Sequence, residues 1–195
     1  MRELVYYVAV TLDGFIAGPD GGDPSGLEYF PVTDDLIRFT IENYPETLPG
    51  PARAALGIDG RGRVFDTVLE GRASYEVGLA AGVVDAYPHL RHLVFSTSLP
   101  PVAGGDIEVV RDSALERVRS LKSEQGQDLW LVGGGTLAHA LLPEIDRLVL
   151  KVNPSIIGDG IPLFAGPFSP TTFTLGSEVR LDGGVRVVTY ERVRA

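Results

Sequence analysis

Three consecutive glycines, Gly133, Gly134 and Gly135, separate the apolar run LWLV from the helix-like TLAHALL. Glycine lets the backbone turn tightly and bring N–H groups against an anion, and a helix starting there aims its positive end at the same point. Read as Gly133, Gly135 and Ala138, the stretch matches a degenerate dinucleotide fingerprint. No Asp or Glu follows about 20 residues later, however, and no Lys–Ser/Thr pair makes it a P-loop. The arrangement recurs in LEGRASYE, residues 69–76. There Gly71 closes a strand-like run, Arg72 supplies a charge able to grip phosphate bidentately, and Ser74 stands in the first turn of a helix. A third apolar run ends in FSTS, with hydroxyls at Ser96, Thr97 and Ser98. Each feature has a plainer reading: a close-packed turn, an arginine paired with a surface acid, a polar strand terminus. Taken together on one edge, the three ends predict an elongated ligand with several phosphates, a dinucleotide rather than a single phosphate.

Proton chemistry has fewer candidates. Asp13, Asp34, Asp35 and, behind them, Glu28 are the acids near the predicted site edge. Asp34 and Asp35 are also what a helix dipole favours in a first turn, and Asp13 before Gly14 suits a turn. His139 falls in a helix and reads as structural, while Lys151 interrupts an apolar strand and faces either a pocket or solvent. His89, His92 and His139 have no paired spacing and the chain has no cysteine, so neither a zinc site nor a thiolate nucleophile is expected. No Ser–His–Asp order suggests itself.

These residues need elements to hold them. ELVYYVAV, residues 3–10, reads as a buried first strand, followed by a long Gly/Pro-rich loop that reaches Gly26. A helix is expected over 33–44, with Thr33 or Asp34 as its cap and apolar residues at helical spacing. Strand-to-helix units follow at 64–84 and 128–145, and between them lie strands at 92–98 and 107–110 and a helix over 113–126. Ser113 with Glu116 makes a capping box at the start of that helix. A strand begins near Asp146, and two further strands joined by LDGG form a C-terminal hairpin. Alternating strands and helices imply an α/β fold with a mostly parallel sheet, an antiparallel edge, and ligands beyond the carboxyl ends of the strands.

With 195 residues, 44% hydrophobic and 22% charged, the chain is expected to be one domain, 1–195, with an insertion around 45–63. A net charge of −9 argues against a nucleic-acid or anionic-membrane binder, while a local basic pocket for a phosphorylated ligand stays allowed. The N-terminus reads as a strand rather than a signal peptide, no run is long enough to span a membrane, and a cytoplasmic protein is expected.

VAVTLDGFIA, TVLEGRASYE, HLVFSTS and LWLVGGGTLAHALLPEIDRLVLKVNPSIIGDGIPLF together resemble the dihydrofolate reductase-like superfamily. The nearest branch is bacterial proteins similar to the reductase domain of riboflavin-biosynthesis enzymes. The resemblance implies a three-layer sandwich and NADPH bound in extended form. Its pyrophosphate would lie between helix starts at Gly71–Ser74 and at Gly133, Gly134, Gly135 and Thr136. Its 2′-phosphate would be met by Arg72, Ser96 and Thr97, and its nicotinamide by Ala9, Ile16 and Ala17. Asp35 takes the place of the acid that supports protonation, here expected to be partly buried with a raised pKa, with a bound water as the other source of the proton. The chain departs from the folate enzymes in lacking PW before the first helix and in placing Lys151 where they carry a hydroxyl. The implied activity is an NADPH-dependent reduction of a small pyrimidine- or pterin-like heterocycle by a homodimer. The alternative is a non-catalytic dinucleotide- or small-ligand-binding protein on the same fold.

Overall fold

A computed structural model of the chain describes residues 1–60, 62–102 and 106–194. Among these residues, ten strands alternate with five α-helices. The strands are β1 (Leu4–Val10), β2 (Phe15–Ala17), β3 (Phe65–Gly71), β4 (Arg91–Phe95), β5 (Ile107–Val110), β6 (Asp128–Gly133), β7 (Ile145–Val152), β8 (Ile161–Pro162), β9 (Phe173–Arg180) and β10 (Arg186–Arg192). The helices are α1 (Asp34–Asn43), α2 (Gly50–Ala55), α3 (Arg72–Ala80), α4 (Ala114–Ser123) and α5 (Gly135–Ala140). Eight strands build one sheet in the order β5-β4-β3-β6-β1-β7-β10-β9. The first six run parallel, and β10 pairs antiparallel with both β7 and β9. This is the mostly parallel sheet with an antiparallel C-terminal hairpin expected for the dihydrofolate reductase-like sandwich.

Alternation along each central strand sends side chains to two apolar layers. Leu4, Tyr6, Leu69, Leu131 and Leu148 face Val118 and Leu121 of α4 and Ala138 of α5. Val5, Tyr7, Val68, Trp130, Val149 and Val187 face the other way, against Leu36 and Phe39 of α1. Each fully buried leucine or valine contributes about 1.5–3 kcal/mol of transfer free energy. The Trp130 indole donates to the Tyr7 carbonyl at 3.1 Å, so its polar edge is not orphaned in the core.

Several local expectations change. The loop after β1 is not continuous: β2 pairs with β8, Ala17 opposite Ile161, which ties the loop's first residues down. The helix from Arg72 stops at Ala80, short of residue 84, because Gly82 takes φ 76° and the Val83 N–H returns to the Gly78 carbonyl at 2.9 Å. The helix expected to reach residue 145 is α5 followed by a 3₁₀ turn, Leu142–Glu144, holding Pro143, which cannot continue an α-helical ladder. β4 ends at Phe95, leaving Ser96, Thr97 and Ser98 in a turn.

The insertion around 45–63 is organised by two buried charges. Glu46 is wholly buried and accepts the N–H groups of Arg63, Val64 and Phe65 at 3.1, 2.7 and 2.7 Å. Arg53 donates to the carbonyls of Pro45 and Gly60, both at 2.8 Å. Arg61, within the same segment, lies outside the described residues.

Candidate functional site

Parallel strands place the carboxyl ends of β3, β4, β6, β1 and β7 along one edge, and the three predicted motifs meet there. The three glycines divide the work. An added Cβ at Gly135 would overlap the Pro162 carbonyl oxygen, and Ala165 N donates to Gly135 O at 3.0 Å. The lack of a side chain at Gly135 is therefore required by the chain's own packing. Gly133 is buried under Ile16, whose Cδ1 would lie 3.9 Å from a Cβ at Gly133. Gly134 differs: its φ is −93°, and an added Cβ would meet nothing within 4 Å. A Cβ at Gly71 would lie 3.8 Å from the Gly134 nitrogen, so the ends of β3 and β6 are in contact. The Gly133–Gly134 peptide is cis.

Beyond Gly71, Arg72 is exposed and reaches across to β4's turn, where Nη1 donates to Ser98 Oγ at 2.7 Å. Its Nε is held by Glu76 at 2.6 Å. Ser96 Oγ accepts the N–H groups of Ser98 and Leu99 at 3.2 and 2.9 Å, which shapes the turn and leaves its O–H free to donate outward. Thr97 is exposed beside it, and Thr136 is exposed at the start of α5. Ala9 and Ile16 are half-buried, while Ala17 is buried at the β2–β8 pair. Open space at Gly134, with donors at Arg72, Ser96 and Thr97 further along, fits a dinucleotide lying from Ile16 across Gly133, Gly134 and Gly71 to Arg72.

Ser74 does not present its proton to that edge. Its hydroxyl donates inward to Glu70 Oε2 at 2.8 Å, because Glu70 is buried and needs the donor. Glu70 Oε1 contacts His92 Nε2 at 2.6 Å, and His92 Nδ1 contacts Asp85 Oδ1 at 2.9 Å. Burial by itself would depress the His92 pKa. The hydrogen bond and charge of Glu70, followed by those of Asp85, outweigh it and hold the imidazole above its ordinary range. A Ser74–Glu70–His92–Asp85 chain thus underlies the start of α3. The sequence reading missed it, since its members come from two strands, a helix and a loop; the one signal in the sequence is that Glu70 and His92 each stand in a largely apolar strand.

The acids depart from expectation as well. Asp35 accepts from the Thr33 hydroxyl, from Leu36 N at 2.9 Å and from Gly183 N at 2.8 Å. The Thr33 hydroxyl foremost, then Gly183, hold its pKa below the usual carboxylate value, so the expected raised pKa is reversed. Asp13 takes the Thr11 hydroxyl at 2.6 Å and the N–H groups of Ile157 and Gly158 at 3.1 and 2.7 Å, clamping the β7–β8 connection. Its pKa is lowered too, first by the Thr11 hydrogen bond. Lys151, opposite Ala9 in the β1–β7 register, carries its Nζ over the Tyr7 ring, 4.4 Å from the centroid. Two hollows lined by residues such as Arg119, Lys122, Arg192 and Arg194 lie near Met1 and share no residue with this edge.

The model of the RibD C-terminal domain matches residues 79–187, more than half of the chain. This chain belongs to the RibD C-terminal domain family. The matched interval holds the FSTS turn, the three glycines and Lys151, while β1 and the Gly71–Ser74 start of α3 precede it. Two Bacillus subtilis strain 168 proteins of uncharacterized function are similar along most of their length. YwjB is 30% identical over 165 residues, 84% of this chain and 83% of its own. YyaP is 27% identical over 177 residues, 84% of this chain and 80% of its own. Among solved structures, a protein assigned to riboflavin biosynthesis from Shewanella sp. PV-4 superposes over 100% of both chains with TM-score 0.71 at 23% identity. The Thermotoga maritima diaminohydroxyphosphoribosylaminopyrimidine deaminase/5-amino-6-(5-phosphoribosylamino)uracil reductase gives 0.65 at 19%, covering 98% of this chain and 57% of the larger one. Enterococcus faecalis dihydrofolate reductase complexed with NADP(H) gives 0.65 at 17%, covering 97% and 96%. At these identities the structural likeness concerns the fold, which RibD C-terminal domains and dihydrofolate reductases share.

Proposed function

We propose that the chain is a single-domain, cytoplasmic, homodimeric reductase that uses NADPH to reduce a small pyrimidine- or pterin-like heterocycle, of the 5-amino-6-(5-phosphoribosylamino)uracil type. The observation that carries this reading is the contact between the ends of β3 and β6, with Gly134 alone of the three glycines opening onto free space. The cofactor, when bound, supplies a hydride, and the protein contributes position and electrostatics. Gly71, Gly133, Gly134, Gly135 and Thr136 form the backbone cradle for its pyrophosphate, and Arg72, Ser96 and Thr97 meet the 2′-phosphate. Ser74 supports the cradle through Glu70 instead of donating to phosphate. Ala9, Ile16 and Ala17 form the wall at the nicotinamide end. Asp35, ionised and held by three donors, fixes the first turn of α1 against the β9–β10 turn and so sets the width of the substrate side.

A titration of the protein with NADPH and NADH, read by cofactor fluorescence, tests the reading, with Gly134→Val alongside. A valine at 134 meets no protein atom at its Cβ and is expected to fold while filling the cradle, so NADPH binding is lost and the melting temperature is kept. Failure of the wild type to bind either dinucleotide removes the reductase reading. One observation favours the second reading, a binding protein without a chemical step: the acid expected to donate a proton is held ionised. Consumption of NADPH in the presence of 5-amino-6-(5-phosphoribosylamino)uracil or dihydropterins separates the two.

A further inference from the structure

A reduced acceptor needs a proton, so the question of its source rests on the reductase reading, and Asp35 is poorly placed to supply it. Three donors already occupy its carboxylate.

Lys151 is in the opposite condition. It lies near the carboxyl end of β7, opposite Ala9 of β1 and Val187 of β10. Ala9 is small, so the side chain of Lys151 can lie across β1, and its ammonium rests on the face of Tyr7. No hydrogen bond or ion pair joins that ammonium to any of the described residues. The groups around it carry no compensating charge: Tyr7 comes from β1 and the aliphatic Val187 from β10. Asp35, at the start of α1, is committed to Thr33 and Gly183, and Asp182 in the β9–β10 turn is exposed to water. Glu46, packed near Tyr7, spends its carboxylate on the N–H groups of residues 63–65. The residue is half-buried, with its ammonium held against the Tyr7 ring.

Residue choice points the same way. Lys122 and Lys151 are the chain's two lysines, against a background of arginine for every other cationic side chain. Arginine cannot release its proton in a protein, whereas a desolvated lysine can. Lys122 is accounted for by Asp146 at 2.6 Å and by the Glu144 carbonyl at 3.0 Å. Lys151 has no such account.

We propose that Lys151 is the catalytic proton donor of this site, and that the acceptor is a C=O or C=N group, in the ring of a small heterocycle or on its open-chain glycosylamino substituent, whose heteroatom lies between Ala9 and the Lys151 ammonium. As the acceptor carbon takes hydride, the π pair of that bond passes to the heteroatom. Lys151 transfers one proton to it, forming O–H or N–H, and the resulting neutral amine regains a proton from water. Desolvation lowers the Lys151 pKa to about 8, close to where a general acid works at neutral pH.

Two lysines make the test clean. Reductive ¹³C-methylation of the full chain gives few amine signals, and the one missing from Lys151→Arg is Lys151. Its signal is expected to titrate near 8. In turnover with NADPH and 5-amino-6-(5-phosphoribosylamino)uracil, the wild-type rate is expected to hold below that pH and fall above it. Lys151→Arg, charged but unable to release a proton, is expected to keep the NADPH dissociation constant and lose about 10²-fold or more in turnover. Lys151→Met is expected to behave likewise, which separates proton transfer from charge alone. A Lys151 amine that titrates in the ordinary lysine range overturns the proposal. So does a Lys151→Arg variant that retains wild-type turnover and the same alkaline decline. If NADPH does not bind the wild type, the reductase reading falls and takes this role with it. If NADPH binds and Lys151→Arg is fully active, only the role of Lys151 falls.

Discussion

Arg72 has two protein partners, Glu76 at its Nε and Ser98 at its Nη1. On the proposed function, a 2′-phosphate would compete with the Glu76 carboxylate for the same guanidinium. Glu76→Gln removes the competitor and is expected to tighten NADPH binding about two- to fivefold, the yield of an exposed pair worth up to ~1 kcal/mol. Arg72→Ala is expected to weaken NADPH by roughly 10- to 100-fold, the loss of charge-assisted bonds worth ~1.5–3 kcal/mol, and NADH far less. Titrations of both variants with both dinucleotides check this. His92 carries a stability prediction. Its folded pKa is raised, so its contribution is complete below the unfolded value of about 6.5 and is lost as pH rises through the folded value. His92→Leu strands the Glu70 and Asp85 carboxylates and is expected to cost about 3–5 kcal/mol. Urea midpoints measured on either side of neutrality should fall with rising pH in the wild type and lose that slope in the variant. Arg72, the glycines and the FSTS hydroxyls were legible because each lies next to a strand end in sequence. The partners of Glu70 and Asp35 were less so, since His92 comes from another strand and Gly183 from the β9–β10 turn; Thr33 and then Gly183 lower the Asp35 pKa that was expected to be raised.

Among elements, the glycine turn shows how one motif serves two masters. Gly135→Ala forces a Cβ onto the Pro162 carbonyl and is expected to destabilise by about 1–3 kcal/mol through overpacking. Gly134→Val should leave the melting temperature nearly unchanged. Thermal unfolding of the two variants side by side checks the division. At α4, Ser113 Oγ accepts the Glu116 N–H at 3.4 Å, and Ser113→Ala should cost about 1 kcal/mol or less, given the length of that bond. That cap was readable from Ser-x-x-Glu alone, as were α1 and the central strands, because each depends on residues within a few positions. β2 and the β2–β8 pair were not readable, since a three-residue strand exists only by virtue of its partner. The insertion was equally opaque: its order depends on Glu46 and Arg53 meeting backbone groups that no periodicity announces.

For the molecule as a whole, β9 is the open question of the surface. It is an eight-residue edge strand with Leu175 60% and Val179 42% exposed, and no described strand covers its outer side. Such an edge invites a second copy. The proposed homodimer would form there: a dimeric mass by light scattering that Leu175→Lys reduces to monomer supports it, a dimeric mass left unchanged places the interface elsewhere, and a monomeric wild type removes the homodimer. Among the described residues, no helix is long and apolar enough to cross a membrane. The strand order also has a consequence in time. Leu4 pairs with both Leu129 and Ile145, so β1 sits at the centre of the sheet between two partners that are translated well after it. Until Val152 has left the ribosome, the Val- and Tyr-rich β1 lacks its full set of neighbours, so the nascent chain carries an incompletely paired apolar strand over that interval. Truncated products ending before β7 therefore lack the sheet's middle, and they are the species that chaperones and proteases will meet first.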